Sequence, residues 1–155
     1  GIGLTNVIFT FIGINLIDKL GRKVLMYIGS IGYIISLILI SLSFILDWGG
    51  IALPIFLFLF IASHAIGQGA IIWVYISEIF PNHIRSYGQS FGISTHWVLA
   101  AIIPSFVPFL FGFIGPGLVF AFFAFMMVLQ LIFTHFIMPE TRGVSLEELA
   151  KKLIV

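Results

Sequence analysis

Long runs without a single charge alternate along this chain with short clusters that hold all of it. Residues 1–17, 24–46, 51–77, 86–111 and 118–138 contain no Asp, Glu, Lys or Arg. Each run is near or above the roughly 20 residues that a helix needs to cross about 30 Å of hydrocarbon. A helix satisfies its own backbone polar groups in lipid, so the pattern predicts five membrane-spanning helices in an all-α integral membrane protein.

The charge that separates the runs orients them. Lys19, Arg22 and Lys23 follow the first run, Asp47 the second, Glu78 and Arg85 flank the next turn, and Arg142, Lys151 and Lys152 sit in the tail. Successive helices alternate direction, so the first loop, the third loop and the tail share one face, and the other face has no positive charge. The positive-inside rule makes the basic face cytoplasmic. The expected organisation is a transmembrane bundle over 1–138 and a cytoplasmic tail over 139–155. In the tail, Ser145 and Glu148 have the spacing of a capping box, predicting a short helix with Leu146, Leu149 and Leu153 on its apolar side.

Composition agrees and excludes other classes. Hydrophobic residues make up 61% and charged residues 8% of the chain, with mean hydropathy +1.23, far from the roughly 25% charged usage of soluble domains. A net charge of +1 argues against nucleic acid, which needs a concentrated basic surface. Cysteine is absent, which removes disulfides, a thiol nucleophile and thiolate metal ligands. The chain starts without Met or a charged n-region, so residues 1–17 do not read as a signal peptide. The expectation is a chain whose earlier part is missing.

Polar residues inside the runs are few. Gly3, Asn6, Thr10 and Gly13 fall on one stripe of the first helix. That stripe reads equally as a helix–helix contact or as a face with Asn6 turned to an aqueous cavity. The second run, rich in Ile, Leu and Ser, reads as lipid-facing scaffold, with Trp48 beyond it at interfacial depth. In the third, Ser63, His64, Gly67, Gln68 and Gly69 interrupt an apolar helix, and Trp73 follows. Local unwinding there, around a solute site, is favoured over a packing groove for a neighbouring helix. Pro81 stops this helix. Glu78 is expected to pair with Arg85 or with charges of the 18–23 loop. The fourth run carries Gln89, Gly92 and His96 on one stripe, Trp97 beside it, and Pro104 and Pro108 to bend its outer half; the fifth is apolar until Gln130, Thr134 and His135.

No catalytic constellation emerges. The four histidines lack zinc-site spacing and no Gly-rich loop precedes a Lys, so neither metal nor cofactor is expected. Intramembrane hydrolysis would ask for a Ser–His pair or paired Asp within the spans, and no Asp lies in one. The remaining chemistry is neutral: Asn6, Gln68 and His96 as hydrogen-bonding groups, Trp73 and Trp97 as flat apolar faces. That set suits a polyhydroxylated, uncharged solute, whose hydroxyls take the polar bonds while its C–H face stacks on indole.

Three motifs carry a resemblance. Asp18-Lys19-Leu20-Gly21-Arg22-Lys23 resembles the D-x-x-G-R-[RK] loop of major facilitator transporters. The stretch from Trp73 through Glu78 and Pro81 to Arg85, and Pro139-Glu140-Thr141-Arg142-Gly143 followed by Leu146-Glu147-Glu148-Leu149, resemble the sugar porter family of that superfamily. The resemblance implies a partial major facilitator fold: the eighth to twelfth of twelve helices, five of the six in the C-terminal bundle. The N-terminal domain would be a partner outside this chain. It further implies transport of a hexose or pentose by alternating access, proton-coupled or facilitative. Asn6, Gly69, Trp73 and Trp97 match the family's sugar-site positions. Asp18, Arg22, Glu78, Arg85, Glu140 and Arg142 match its cytoplasmic charge network, which holds the outward-facing state together. Two departures stand out: Gly69-Ala70 replaces a common Gly-Pro, and His96 replaces a usual Gln or Asn. A sugar sensor of the same fold is the alternative, and an enzyme using His64 or His96 a more distant one.

Overall fold

A computed structural model describes residues 1–153, with the backbone alone for Leu146, Ala150, Lys152 and Leu153. The apolar-side expectation for Leu146 and Leu153 therefore lies outside the described side chains. Seven helices follow in order: α1 (Ile2–Leu20), α2 (Arg22–Ile45), α3 (Ala52–Ile66), α4 (Gln68–Ile79), α5 (Arg85–Ile114), α6 (Pro116–Phe136) and α7 (Leu146–Leu153), with no strand among the described residues. Counting α3 and α4 as one interrupted span, five are long and apolar enough to cross a membrane.

Helix ends follow local chemistry. Gly21 sits at φ +93° between α1 and α2, a conformation that L side chains rarely adopt. Phe80 is extended at φ −97°, ψ 134°, as a residue before proline is forced to be, and this ends α4. Gly115 at φ +80° turns α5 into α6, which opens on Pro116. α5 runs on through Pro104 and Pro108.

The second run is lipid-facing on one side only, where Val24, Ile28, Ile31, Ile35 and Ile38 are exposed. α2 buries Leu25, Met26, Gly29, Ser30, Tyr33, Ser36, Leu37, Ile40 and Ser41, and packs against α3 and α6. Hydropathy misread it because lipid tails and protein interiors are equally apolar, whereas small residues mark close helix contact. Its hydroxyls are satisfied within protein: Ser36 donates to the Gly32 carbonyl at 2.8 Å, and Ser41 to the Gly117 carbonyl at 2.7 Å across to α6. Two clusters flank it. Ile17, Leu25, Met26, Ile71 and Met138 form the core at the charged end, and Tyr33, Leu37 and Ala124 pack with Phe60 and Phe123 deeper in the bundle.

The first-helix stripe divides. Gly13 is buried, and a Cβ on it would lie 3.0 Å from the Ile66 carbonyl oxygen, so this end of the stripe is a helix contact. Gly3 faces open space and Asn6 is exposed.

Candidate functional site

The interruption falls at Gly67, whose φ −90°, ψ −111° separates α3 from α4. Close packing with α2 holds it there: a Cβ on Gly67 would come within 2.6 Å of the Gly29 Cα. Beside the break lies a cleft of about 780 Å³ between α2, α3, α4, α5 and α6. Its walls include His64, Gln68, Gly69, Trp73, His96 and Gln130, with aromatic and aliphatic surface from Phe60, Phe120 and Phe123. The wall set contains no Asp, Glu, Lys or Arg.

Four of the six expected solute-site residues thus meet on one cleft: Gln68, Gly69, Trp73 and His96. Trp97 is outside the lining and 62% exposed, but its ring neighbours two of these residues. Its ring centroid lies 6.5 Å from that of Trp73, the planes 29° apart, and 5.5 Å from the His96 ring. Trp73 meets His96 edge-on at 5.0 Å. Asn6 is not part of this cleft; α1 lies outside its walls. Gln68 reaches the cleft wall, but its amide is committed elsewhere. Nε2 donates to Ser30 Oγ at 3.0 Å, and Oε1 is buried without a hydrogen-bond partner among the described residues, close against Gly29.

Two residues of α2 escaped the sequence reading. Tyr33 hydrogen-bonds through its hydroxyl to His64 Nδ1, and Ser30 bonds Gln68 as described. A usable signal existed, since Gly29-Ser30 and Gly32-Tyr33 repeat three residues apart on one helix face.

The charged residues gather at the other end of α2. Arg22 grips Glu78 with two bonds, Nη2 to Oε1 at 2.6 Å and Nε to Oε2 at 3.0 Å, and gives Nη1 to Asp18 at 3.1 Å and to the Ile17 carbonyl at 3.3 Å. Its side chain is only 11% exposed, and that of Glu78 23%. Thr141 donates to Glu78 Oε2 at 2.5 Å, a contact from a motif residue to which the sequence reading gave no role. Glu140 accepts from the backbone N–H groups of Arg22 at 3.0 Å and Lys23 at 2.9 Å, placing a carboxylate on the positive end of α2. Gly21 makes this approach possible, because a Cβ there would sit 2.7 Å from Glu140 Oε2. Of the two pairings open to Glu78, the one formed is therefore with the 18–23 loop. Arg85 instead donates Nε to the Phe80 carbonyl at 3.2 Å, its Nη2 buried without a partner among the described residues. The Arg142 side chain is exposed.

Buried hydroxyls, a broken span and an uncharged cleft between apolar helices define a multi-pass integral membrane protein with an internal solute-sized space. The family model described as "Sugar (and other) transporter" matches residues 1–153. The chain belongs to that family, the sugar porters of the major facilitator superfamily. It is 41% identical to the arabinose-proton symporter of Bacillus subtilis over 97% of its own length and 32% of that protein's. It is 40% identical to the glucose transporter GlcP of Staphylococcus epidermidis over 99% of its length and 35% of that protein's. Among solved structures, the inward-open xylose transporter XylE from E. coli superposes with a TM-score of 0.92 at 30% identity, covering 97% of this chain and 34% of XylE. XylE bound to 6-bromo-6-deoxy-D-glucose gives 0.88 at 29%, covering 97% and 33%. The chain thus spans about a third of the length of these relatives. Its fold is that of part of a major facilitator bundle.

Proposed function

We propose that this chain supplies one wall of a monosaccharide pathway in a sugar porter working by alternating access. One observation carries the reading: Trp73, His96 and the helix break at Gly67 converge on an uncharged cleft of about 780 Å³. That volume falls within the roughly 300–1,000 Å³ of small-molecule sites. Neutral hydrogen-bonding groups beside indole faces fit hydroxyls on one side of a sugar and C–H bonds on the other. An ionic solute would need a counter-charge, and the walls offer none. Relatives named for arabinose, glucose and xylose support the substrate class, and two named as proton symporters support coupling to a proton.

The cluster of Asp18, Arg22, Glu78 and Glu140, with Arg85 and Arg142 close in sequence, is read as the cytoplasmic network that biases which way the cleft opens. Only a few kcal/mol need separate two such states. The tail from residue 139 is assigned to the same cytoplasmic face, in line with the positive-inside pattern.

The test is uptake of labelled D-glucose, D-xylose and L-arabinose by a host lacking its own sugar uptake, expressing the complete reading frame that contains this chain. Saturable uptake is expected, weakened in affinity about tenfold or more by Trp73→Ala, which removes the stacking face. No uptake of any of the three despite normal membrane insertion would sink the reading.

A further inference from the structure

We infer that His64, held by Tyr33, presents Nε2–H to the cleft as a sugar-hydroxyl ligand and specificity determinant, in the role that the sequence suggested for Gln68. The inference rests on the sugar-porter reading and goes one residue further. Gln68 is the weaker solute ligand, because its Oε1 is sealed against α2 and one of its two Nε2 hydrogens is given to Ser30. His64 differs. It lines the cleft, its Nδ1 is bonded to the Tyr33 hydroxyl, and its Nε2 has no partner among the described residues and is not among the sealed atoms. Nε2 sits over Gly69, where a Cβ would lie 2.9 Å from it. Gly69 therefore keeps open the space beside that nitrogen.

Tyr33 fixes which nitrogen carries the proton. The tyrosine is 8% exposed, and among the described residues its hydroxyl has one hydrogen-bond partner, His64 Nδ1. A buried phenol left without an acceptor is costly. Its O–H therefore donates to Nδ1, and the neutral imidazole carries its own hydrogen on Nε2. The cleft then receives a donor of fixed direction, suited to a hydroxyl oxygen. Tyr33 acts as the positioning residue.

The experiment measures sugar affinity of the complete protein in lipid nanodiscs, using whichever of D-glucose, D-xylose and L-arabinose binds best, together with its monodeoxy derivatives. His64→Asn keeps a polar atom at the reach of Nδ1 and removes Nε2; His64→Gln restores one near Nε2. The Asn variant is expected to bind about tenfold more weakly, the loss of one neutral hydrogen bond at its upper range, and the Gln variant to recover most of it. One deoxy sugar, lacking the hydroxyl that meets Nε2, should bind wild type and the Asn variant equally. Tyr33→Phe should weaken binding less, about threefold, and add nothing to His64→Asn. Should the Asn variant fail to insert, His64→Gln and Tyr33→Phe against the deoxy series decide. Wild-type affinity in the Asn variant, or an equal loss for every deoxy sugar, would overturn the inference while leaving the porter reading standing. Absence of binding to all three sugars by folded wild type would overturn the reading and the inference with it.

Discussion

Gly29 and Gly67 meet where α2 crosses the break, and neither position has room for a side chain. A Cβ on Gly29 would lie 2.8 Å from the Gly67 Cα and closer still to Gln68 Oε1. Gly29→Val is therefore expected to force α2 off the break at a cost of about 1–3 kcal/mol, read as a lowered melting temperature in detergent. An unchanged melting temperature would mean that the two helices are not so closely apposed. Arg22 makes a second demand at the same scale. Glu78 faces it with both oxygens in a poorly exposed setting, so Arg22→Ala leaves a partly buried carboxylate with Thr141 as its remaining side-chain partner. The expected destabilisation is about 3 kcal/mol. Arg22→Lys should recover only part, because an ammonium cannot reproduce the two-pronged grip. The check is denaturation of the three proteins side by side at low and high salt, with little salt effect on the difference expected from so enclosed a pair.

Individual elements were legible to different degrees. The five uncharged runs announced the spans because charge is costly in hydrocarbon whatever surrounds it. Gly67 and Gly69 announced the break, since glycine is a poor helix former, and Gln68 marked it as polar in a span where polar groups are costly. The place of α2 at the centre of the bundle was hidden: Ser and Gly among Ile and Leu look alike from the standpoint of hydropathy whether they face lipid or protein. The orientation of Gln68 was hidden for a related reason, because only the position of Ser30 in space tells which way an amide turns. Asn6 lay on a recognisable stripe, but which helix that stripe meets is tertiary information. The segment between α6 and α7 shows an element defined by contacts and not by periodicity. It is docked by Glu140 on the start of α2 and by Thr141 on Glu78. Glu140→Gln should weaken the charge–dipole part of that docking by about 1 kcal/mol and speed tryptic cleavage after Arg142. Cleavage at the wild-type rate would show that the carboxylate charge contributes nothing to holding the segment.

At the largest scale, orientation across the bilayer is the outstanding quantity, and these 155 residues contain no cysteine, so single cysteines introduced here report it once any cysteine elsewhere in the complete protein is replaced. Gly49 lies in the turn between α2 and α3, and nothing lies within 4 Å of a Cβ built there. Lys19 is exposed near the opposite end of α2. In intact cells a membrane-impermeant maleimide should label Gly49→Cys at once and Lys19→Cys only after permeabilisation. The reverse order would invert the topology and move the Arg22–Glu78 cluster to the outer face. The uncharged cleft has an electrical corollary. A fixed charge carried through a potential of 100 mV exchanges about 2.3 kcal/mol with the field, yet the walls of this cleft hold no acidic, lysine or arginine side chain on which that field acts. In the proposed cycle, these walls move no charged side chain through the field so long as His64 and His96 are neutral. Voltage dependence of the proposed cycle would then be traced to a bound proton, to these two histidines or to charges beyond these walls.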